Sequence, residues 1–190
     1  MKRLFDLFLA LLAATLLAIP MLAVAVLVRL TSPGSALYWS DRIGTGNRTF
    51  RMPKFRTMRT GTPAVATHLL ADPAAHLTPI GGFLRRTSLD ELPQLWSILV
   101  GDMSFVGPRP EVEEHTLEYS QEEQAILTVP PGITDYSSIS FVNLDEVLGT
   151  EDPHGVFVNK FRAEKNRLRL EYVRNRSFVE DMRIIIRTAG

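Results

Sequence analysis

Residues 7–28 read Leu-Phe-Leu-Ala-Leu-Leu-Ala-Ala-Thr-Leu-Leu-Ala-Ile-Pro-Met-Leu-Ala-Val-Ala-Val-Leu-Val, twenty-two positions without a charge. Only Thr15 and Pro20 interrupt the run. About 18 or more apolar residues suffice to cross a bilayer. A buried core helix rarely goes so far without polar side chains. A cleaved secretory signal has its own markers here, a Lys2-Arg3 start and an Ala23-Val24-Ala25 triplet resembling a cleavage site. The apolar run continues through that triplet, however, and Asp6 stands at its front. Residues 1–30 are therefore read as a membrane element, and 31–190 as a globular unit behind it.

Both flanks of the run are basic: Lys2 and Arg3 before it, then Arg29, Arg42, Arg48, Arg51, Lys54, Arg56 and Arg59 after it. The positive-inside tendency assigns both flanks to the cytoplasmic side. A straight span cannot satisfy that, whereas a helix that enters and turns back can. Pro20 is the natural membrane break, because proline removes a backbone donor and kinks a helix. The residues alone leave spanning and re-entry open.

The remaining composition narrows the chemistry. A chain of 190 residues, 45% hydrophobic and 22% charged, is one ordinary domain. It has no cysteine, which removes disulfides, thiol catalysis and Cys-ligated metals. His68, His76, His115 and His154 have no metal-binding spacing. The net charge of zero hides an asymmetry: residues 1–60 carry nine Lys/Arg against two Asp/Glu, and residues 61–190 carry twelve against nineteen. The asymmetry points to an anionic partner for the basic part, a solvated basic rim being the plainer reading, and the apolar N-terminus selects a membrane surface over nucleic acid. From Glu111 to Asp152 there are eleven acidic residues and no Lys or Arg, read as a solvated face.

The globule reads as α+β. Turn residues at 31–35 end the membrane helix. Short strands at 36–39 and 49–52, around a turn holding Gly44 and Gly46, form a hairpin. Residues 61–66 are a loop, 66–75 weakly helical, and 80–86 an apolar face with two arginines. Ser88 and Glu91 have capping-box spacing, and Leu92, Leu95, Trp96 and Leu99 follow with helical periodicity up to Gly101. Further helices are expected at 111–128, 159–175 and 178–188, the last capped by Ser177.

Asp90 and Glu91 open the helix that follows Arg85 and Arg86. Arginine forks recognise phosphate, adjacent carboxylates suit Mg²⁺ on a diphosphate, and aspartate can attack phosphorus. The same two acids also fit a purely structural helix start.

The block Ser88-Leu89-Asp90-Glu91-Leu92-Pro93-Gln94-Leu95-Trp96, continuing to Gly107-Pro108-Arg109-Pro110, closely resembles the signature of the bacterial sugar transferases, the monotopic phosphoglycosyl transferases. Five more blocks follow suit: Lys2-Arg3-Leu4-Phe5-Asp6, Ser40-Asp41-Arg42-Ile43-Gly44, Pro53-Lys54-Phe55-Arg56-Thr57-Met58, Pro131-Gly132-Ile133-Thr134, and Glu171-Tyr172-Val173 with Asn175, Ser177 and Asp181. The resemblance implies transfer of a sugar-1-phosphate from a UDP-sugar to undecaprenyl phosphate, with Mg²⁺ and release of UMP, at the cytoplasmic face of the bacterial inner membrane. It implies that Asp90 is the nucleophile, that Glu91 supports metal or proton transfer, and that both acids hold the metal. It makes Arg85 and Arg109 phosphate clamps and sets Lys54, Arg56 and Arg42 against lipid phosphate or pyrophosphate. It also implies a re-entrant N-terminal helix and a mainly helical domain with interfacial amphipathic helices.

Two departures stand out. Ile19-Pro20 replaces the family's Ser-Pro at the break, and Pro130-Pro131-Gly132-Ile133-Thr134-Asp135-Tyr136 replaces R-P-G-I-T-G-W. Asp135, Tyr136, Ser137 and Ser138 are able to bind sugar hydroxyls or to satisfy a turn. A non-enzymatic membrane scaffold is the competing reading, against which the intact Asp90-Glu91 and Arg109 argue. The sugar stays open, as does the oligomeric state, a homodimer included.

Overall fold

The computed structural model describes residues 1–62, 72, 74–141 and 161–189. Most of the expected loop at 61–66 and of the weak helix at 66–75 lies outside these residues, as do 142–152 of the acidic stretch and the start of the 159–175 helix. The apolar N-terminus forms two helices, α1 (Lys2–Leu16) and α2 (Ala18–Thr31), which meet at Leu17 with a bend of 61°. The bend precedes Pro20. A proline ring collides with the carbonyl four residues back, here that of Leu16, where α1 ends. Pro20 itself sits in the first turn of α2, where a missing N–H leaves no intrahelical bond unmade. Among the described residues no single helix is long and apolar enough to cross a membrane; the bent pair meets the length and composition requirement together.

The inner faces of this pair pack on the globule. Small residues Ala10, Ala13 and Ala14 let α1 approach Leu95, Ile98 and Met103, and Val24 and Val28 of α2 pack on Phe55 and Leu84. The outer faces leave Phe8, Leu11, Leu16, Ile19, Leu22 and Leu30 exposed. Polar groups fix the start of α1. Lys2 Nζ donates to the Val106 carbonyl at 3.0 Å and pairs with Asp181 at 2.6 Å. Asp6 is buried and accepts from Ser104 Oγ at 2.9 Å and the Phe105 amide at 3.3 Å. A buried carboxylate needs such partners, which accounts for Asp6 at the head of an apolar run.

The expected hairpin is present and longer than its pattern indicated. Strands β1 (Leu37–Ile43) and β2 (Thr49–Phe55) are antiparallel, with Leu37 opposite Phe55 and Ile43 opposite Thr49. Gly46 and Asn47 turn the chain at φ 68° and 61°, as tight hairpins require. Phe50, Met52 and Phe55 face the core, while Arg51 lies over the Trp39 ring.

Helix α3 (Gly81–Arg86) leads into a 3₁₀ turn at Leu89–Gln94 and then α4 (Leu95–Val100). The capping box expected at Ser88 does not form: Ser88 is left-handed, with φ 54°, and its side chain caps nothing. Pro93 accounts for the change, since it cannot donate within an α-turn. A 3₁₀ turn uses three residues rather than 3.6, so the apolar stripe rotates. Leu95 and Ile98 are buried, while Trp96 is 56% exposed.

Strand β3 (Ser104–Val106) pairs in parallel with β4 (Gly132–Thr134). The single helix expected at 111–128 divides into α5 (Glu113–Leu117) and a 3₁₀ turn at Glu123–Thr128. A capping box restarts it: the Glu123 amide donates to Ser120 Oγ at 3.3 Å, and the Ser120 amide to Glu123 Oε2 at 2.8 Å. Helix α6 (Tyr136–Ser140) follows β4, and α7 (Arg162–Asn175) and α8 (Phe178–Ala189) close the chain. Ser177 caps α8 as expected, accepting from the Glu180 amide at 3.2 Å. The described residues are mainly helical, with two small two-stranded sheets among them.

Candidate active site

Asp90 and Glu91 lie on the 3₁₀ turn that Pro93 imposes, packed against strand β2. The turn gives the two carboxylates different surroundings. Asp90 is 8% exposed, and burial raises its pKa above the ordinary value, with Lys54 and Arg85 the nearby cations that oppose the shift. Glu91 is in the contrary position. Its Oε1 accepts from Lys54 Nζ at 2.9 Å and from the Arg109 guanidinium. Burial alone would raise Glu91, but Arg109 and Lys54 outweigh it and hold the group at about 2.

Three elements deliver the cations. Lys54 comes from β2, Arg85 from α3, and Arg109 from the loop after β3. Burial lowers Lys54, with Glu91 opposing. Burial would also lower Arg109, but Glu91 reverses the sign. Arg42, on β1, lies within electrostatic reach of Glu111, Arg109 and Glu91, and its buried Nε has no hydrogen-bond partner among the described residues. Asp90, Glu91, Lys54, Arg85, Arg109 and Arg42 therefore gather in one place. Four cations around two carboxylates leave an excess of positive charge, which suits a polyanionic ligand.

Arg56 does not join them. It is 8% exposed and donates to the carbonyls of Pro33 at 2.5 Å and Ser32 at 2.9 Å, where the chain leaves α2. The 131–136 stretch also resolves. Asp135 Oδ1 accepts from Ser137 Oγ, the Ser138 amide and Ser138 Oγ at 2.7–2.9 Å, so these groups satisfy the start of α6. Tyr136 donates to Glu180 at 2.5 Å.

Sequence patterns missed a second layer behind Arg109. Glu111, read as part of a solvated acidic face, accepts from the buried Arg169 at 2.5 Å and contacts His115 Nδ1 at 3.1 Å. Burial would raise Glu111, but Arg169 holds it well below the carboxylate range. The Ile43 amide donates to the Glu111 carbonyl at 2.9 Å, tying this pair to the hairpin. Partners 58 residues apart leave no local signal. Thr57 was also missed, although its hydroxyl accepts from Arg85 Nε at 2.9 Å.

Among the described residues no three His, Asp or Glu side chains converge on a metal position. Mg²⁺ commonly binds one or two carboxylates and completes its shell with substrate phosphates and water. Asp90, with the second oxygen of Glu91, fits that lesser role.

The bacterial sugar transferase model matches residues 1–190. A UDP-N-acetylgalactosamine-undecaprenyl-phosphate N-acetylgalactosaminephosphotransferase of Aeromonas hydrophila is 32% identical over 98% of this chain and 42% of its own length. A UDP-glucose:undecaprenyl-phosphate glucose-1-phosphate transferase of Xanthomonas campestris pv. campestris is 37% identical over 99% of this chain and 38% of its own. An exopolysaccharide production protein of Rhizobium leguminosarum bv. phaseoli is 38% identical over 99% and 92%. The chain thus spans about two fifths of the first two relatives.

Proposed function

We propose, since the chain belongs to the bacterial sugar transferase family, that it transfers a sugar-1-phosphate from a UDP-sugar to undecaprenyl phosphate and releases UMP. The observation that carries this reading is the buried Asp90 carboxylate beside a Glu91 clamped by Lys54 and Arg109. In the first step an Asp90 oxygen attacks the β-phosphorus of the donor. A P–O bond to the carboxylate forms, the bond from that phosphorus to the bridging oxygen breaks, and its electron pair leaves on UMP. In the second step a phosphate oxygen of the lipid attacks the same phosphorus. The acyl phosphate bond breaks, Asp90 returns as carboxylate, and the lipid carries the sugar diphosphate.

Each residue has a distinct part. Burial strips water from Asp90 and raises its basicity, which favours attack. Glu91, held at about 2, stays ionised and orders two cations rather than moving a proton. Arg109, Arg85 and Lys54 stabilise the negative charge that develops on phosphate oxygens, already fixed where it appears. Arg42 extends that wall. Mg²⁺, held by Asp90 and Glu91 together with the donor phosphates, would supply Lewis-acid stabilisation of the leaving phosphate.

We assign residues 1–30 to a re-entrant element in the cytoplasmic leaflet and 31–190 to the catalytic unit. The 61° bend and the apolar outer face of the helix pair support this. Each helix is about 20 Å long at 1.5 Å per residue, short of the roughly 30 Å hydrocarbon core. Exposed Phe83, Trp96 and Val100 continue the apolar surface beside it.

The test is UMP release by the detergent-solubilised full chain with Mg²⁺, undecaprenyl phosphate and UDP-glucose, UDP-galactose, UDP-N-acetylglucosamine or UDP-N-acetylgalactosamine. Release with one donor, requiring the lipid only beyond the first turnover and abolished by chelation, is expected. Folded protein silent with every donor, at enzyme concentrations that detect a single turnover, contradicts the proposal.

A further inference from the structure

We infer that Thr57 is a positioning residue for Arg85, orienting the guanidinium that takes a phosphate beside Asp90 in the reaction proposed above; the inference rests on that reading of Arg85. Phe55, Arg56 and Thr57 are consecutive and all buried, at 4%, 8% and 6% exposure. Such burial is unusual for an Arg-Thr pair leaving a strand, and both polar side chains have definite employment. Arg56 holds the Ser32 and Pro33 carbonyls, and its amide donates to the Ala36 carbonyl at 2.9 Å. This end of β2 is thereby fixed to the chain leaving α2.

Thr57 then holds α3 by two independent contacts. Its carbonyl accepts from the Thr78 amide at 2.9 Å and is pressed so closely by Gly81 that a methyl there would come within 2.1 Å of it. Its hydroxyl accepts from Arg85 Nε at 2.9 Å, one helical turn beyond Gly81. The first contact sets where α3 sits, and the second sets where its arginine points. Holding Nε fixes the plane of the guanidinium fork and removes rotor freedom that an arginine otherwise keeps. Asp90 follows Arg85 by five residues across the Ser88 left-handed turn, and the two charges act on each other. Misplacement of such a group by about 1 Å is enough to cost on the order of a hundredfold in rate.

The test compares kcat/KM for UMP release by the full chain in detergent for wild type, Thr57→Val, Thr57→Ser, Arg85→Lys, Arg85→Ala and the Thr57→Val/Arg85→Ala pair. A hydrogen bond to a charged group is expected to matter by about tenfold or more. Thr57→Val, which keeps shape and loses the hydroxyl, should fall by about that factor. Thr57→Ser should stay within about twofold of wild type, because it keeps the acceptor. In the Arg85→Ala background Thr57→Val should change nothing further, because alanine offers the hydroxyl no donor. Wild-type kinetics in Thr57→Val, or the same loss in both backgrounds, overturns the inference; the second result makes Thr57 a packing residue only. Thr57→Ala repeats the comparison if the valine variant fails to fold. Arg85→Lys and Arg85→Ala both at wild-type rates would instead remove the phosphate-gripping role of Arg85, a failure of the underlying reading and distinguishable from the first.

Discussion

Gly107 and Gly132 meet backbone to backbone. A methyl placed on Gly132 would lie 2.1 Å from the Gly107 nitrogen, and one on Gly107 would lie 2.3 Å from the Pro130 carbonyl oxygen. Reciprocal bonds seal the contact: the Gly107 amide donates to the Thr134 carbonyl and the Gly132 amide to the Pro108 carbonyl, both at 3.0 Å. Arg109 follows two residues after Gly107, so this seam fixes the loop that delivers it to Glu91. Gly107→Ala and Gly132→Ala should each destabilise the fold by about 3 kcal/mol, as backbone overpacking does. Gly82→Ala, whose methyl would meet only side-chain atoms at ordinary contact distance, Leu77 Cδ1 at 3.7 Å and Arg86 Nη1 at 3.9 Å, should stabilise α3 by about 0.5–1 kcal/mol. Thermal unfolding of the three variants in one detergent checks the order. A neutral Gly107→Ala would contradict the packing account.

Glu91→Gln keeps shape and removes the charge that Lys54 and Arg109 share. Activity should fall by about a hundredfold, as for loss of a preorganised electrostatic group. If Glu91 acted as a proton donor, the loss would be largest at low pH and shrink as pH rises. An ionised organiser predicts a loss independent of pH from 6 to 9, and the pH–rate profile decides between them.

The two carboxylates have pKa values displaced in opposite directions. Asp90 must be ionised to attack, so activity should decline as pH falls through its raised pKa, above the ordinary Asp value of 3.8. Glu91 has a depressed pKa, so its ion pairs stabilise the fold fully above its ordinary 4.5 and lose that effect as pH falls toward about 2. Burial disfavours ionised Asp90, so it costs stability above its raised pKa. Asp90→Asn should therefore raise the melting temperature at pH 7.5, by roughly 1–4 °C, while abolishing turnover. Equal or lower melting temperature in that variant would count against a desolvated nucleophile.

Lys54 on β2 and Arg56, the first residue beyond its end, should respond differently. Lys54→Met should cost activity at little cost in folding, since it faces Glu91. Arg56→Met leaves the Ser32 and Pro33 carbonyls without their donor and should destabilise the fold by about 2–3 kcal/mol. Chemical unfolding beside UMP release separates the two effects.

What the sequence discloses here is mostly local. The apolar run, the hairpin, the Ser177 cap and the Asp90-Glu91 adjacency all rest on neighbouring residues. Pro93 was equally visible and outweighs the helical spacing of Leu92, Leu95 and Trp96, because a lost α-turn bond costs more than the periodicity returns. Ser120 and Glu123 carried a capping box inside an apparently continuous helix. The rest depends on distance in the chain. Glu111 is buried by Arg169, Lys2 and Asp6 are held by residues about 100 or more positions away, and Arg56 is claimed by carbonyls before it. Charge type alone does not distinguish such internal partners from a substrate.

The most direct measurement uses a donor labelled with ³²P in its β-phosphate and the full chain without lipid acceptor. The account predicts a burst of UMP stoichiometric with enzyme and label retained on the peptide containing Asp90. Undecaprenyl phosphate should then discharge the label, and Asp90→Asn should show neither burst nor label. UMP that appears only when lipid is present, or a burst that survives Asp90→Asn, would contradict Asp90 as the nucleophile.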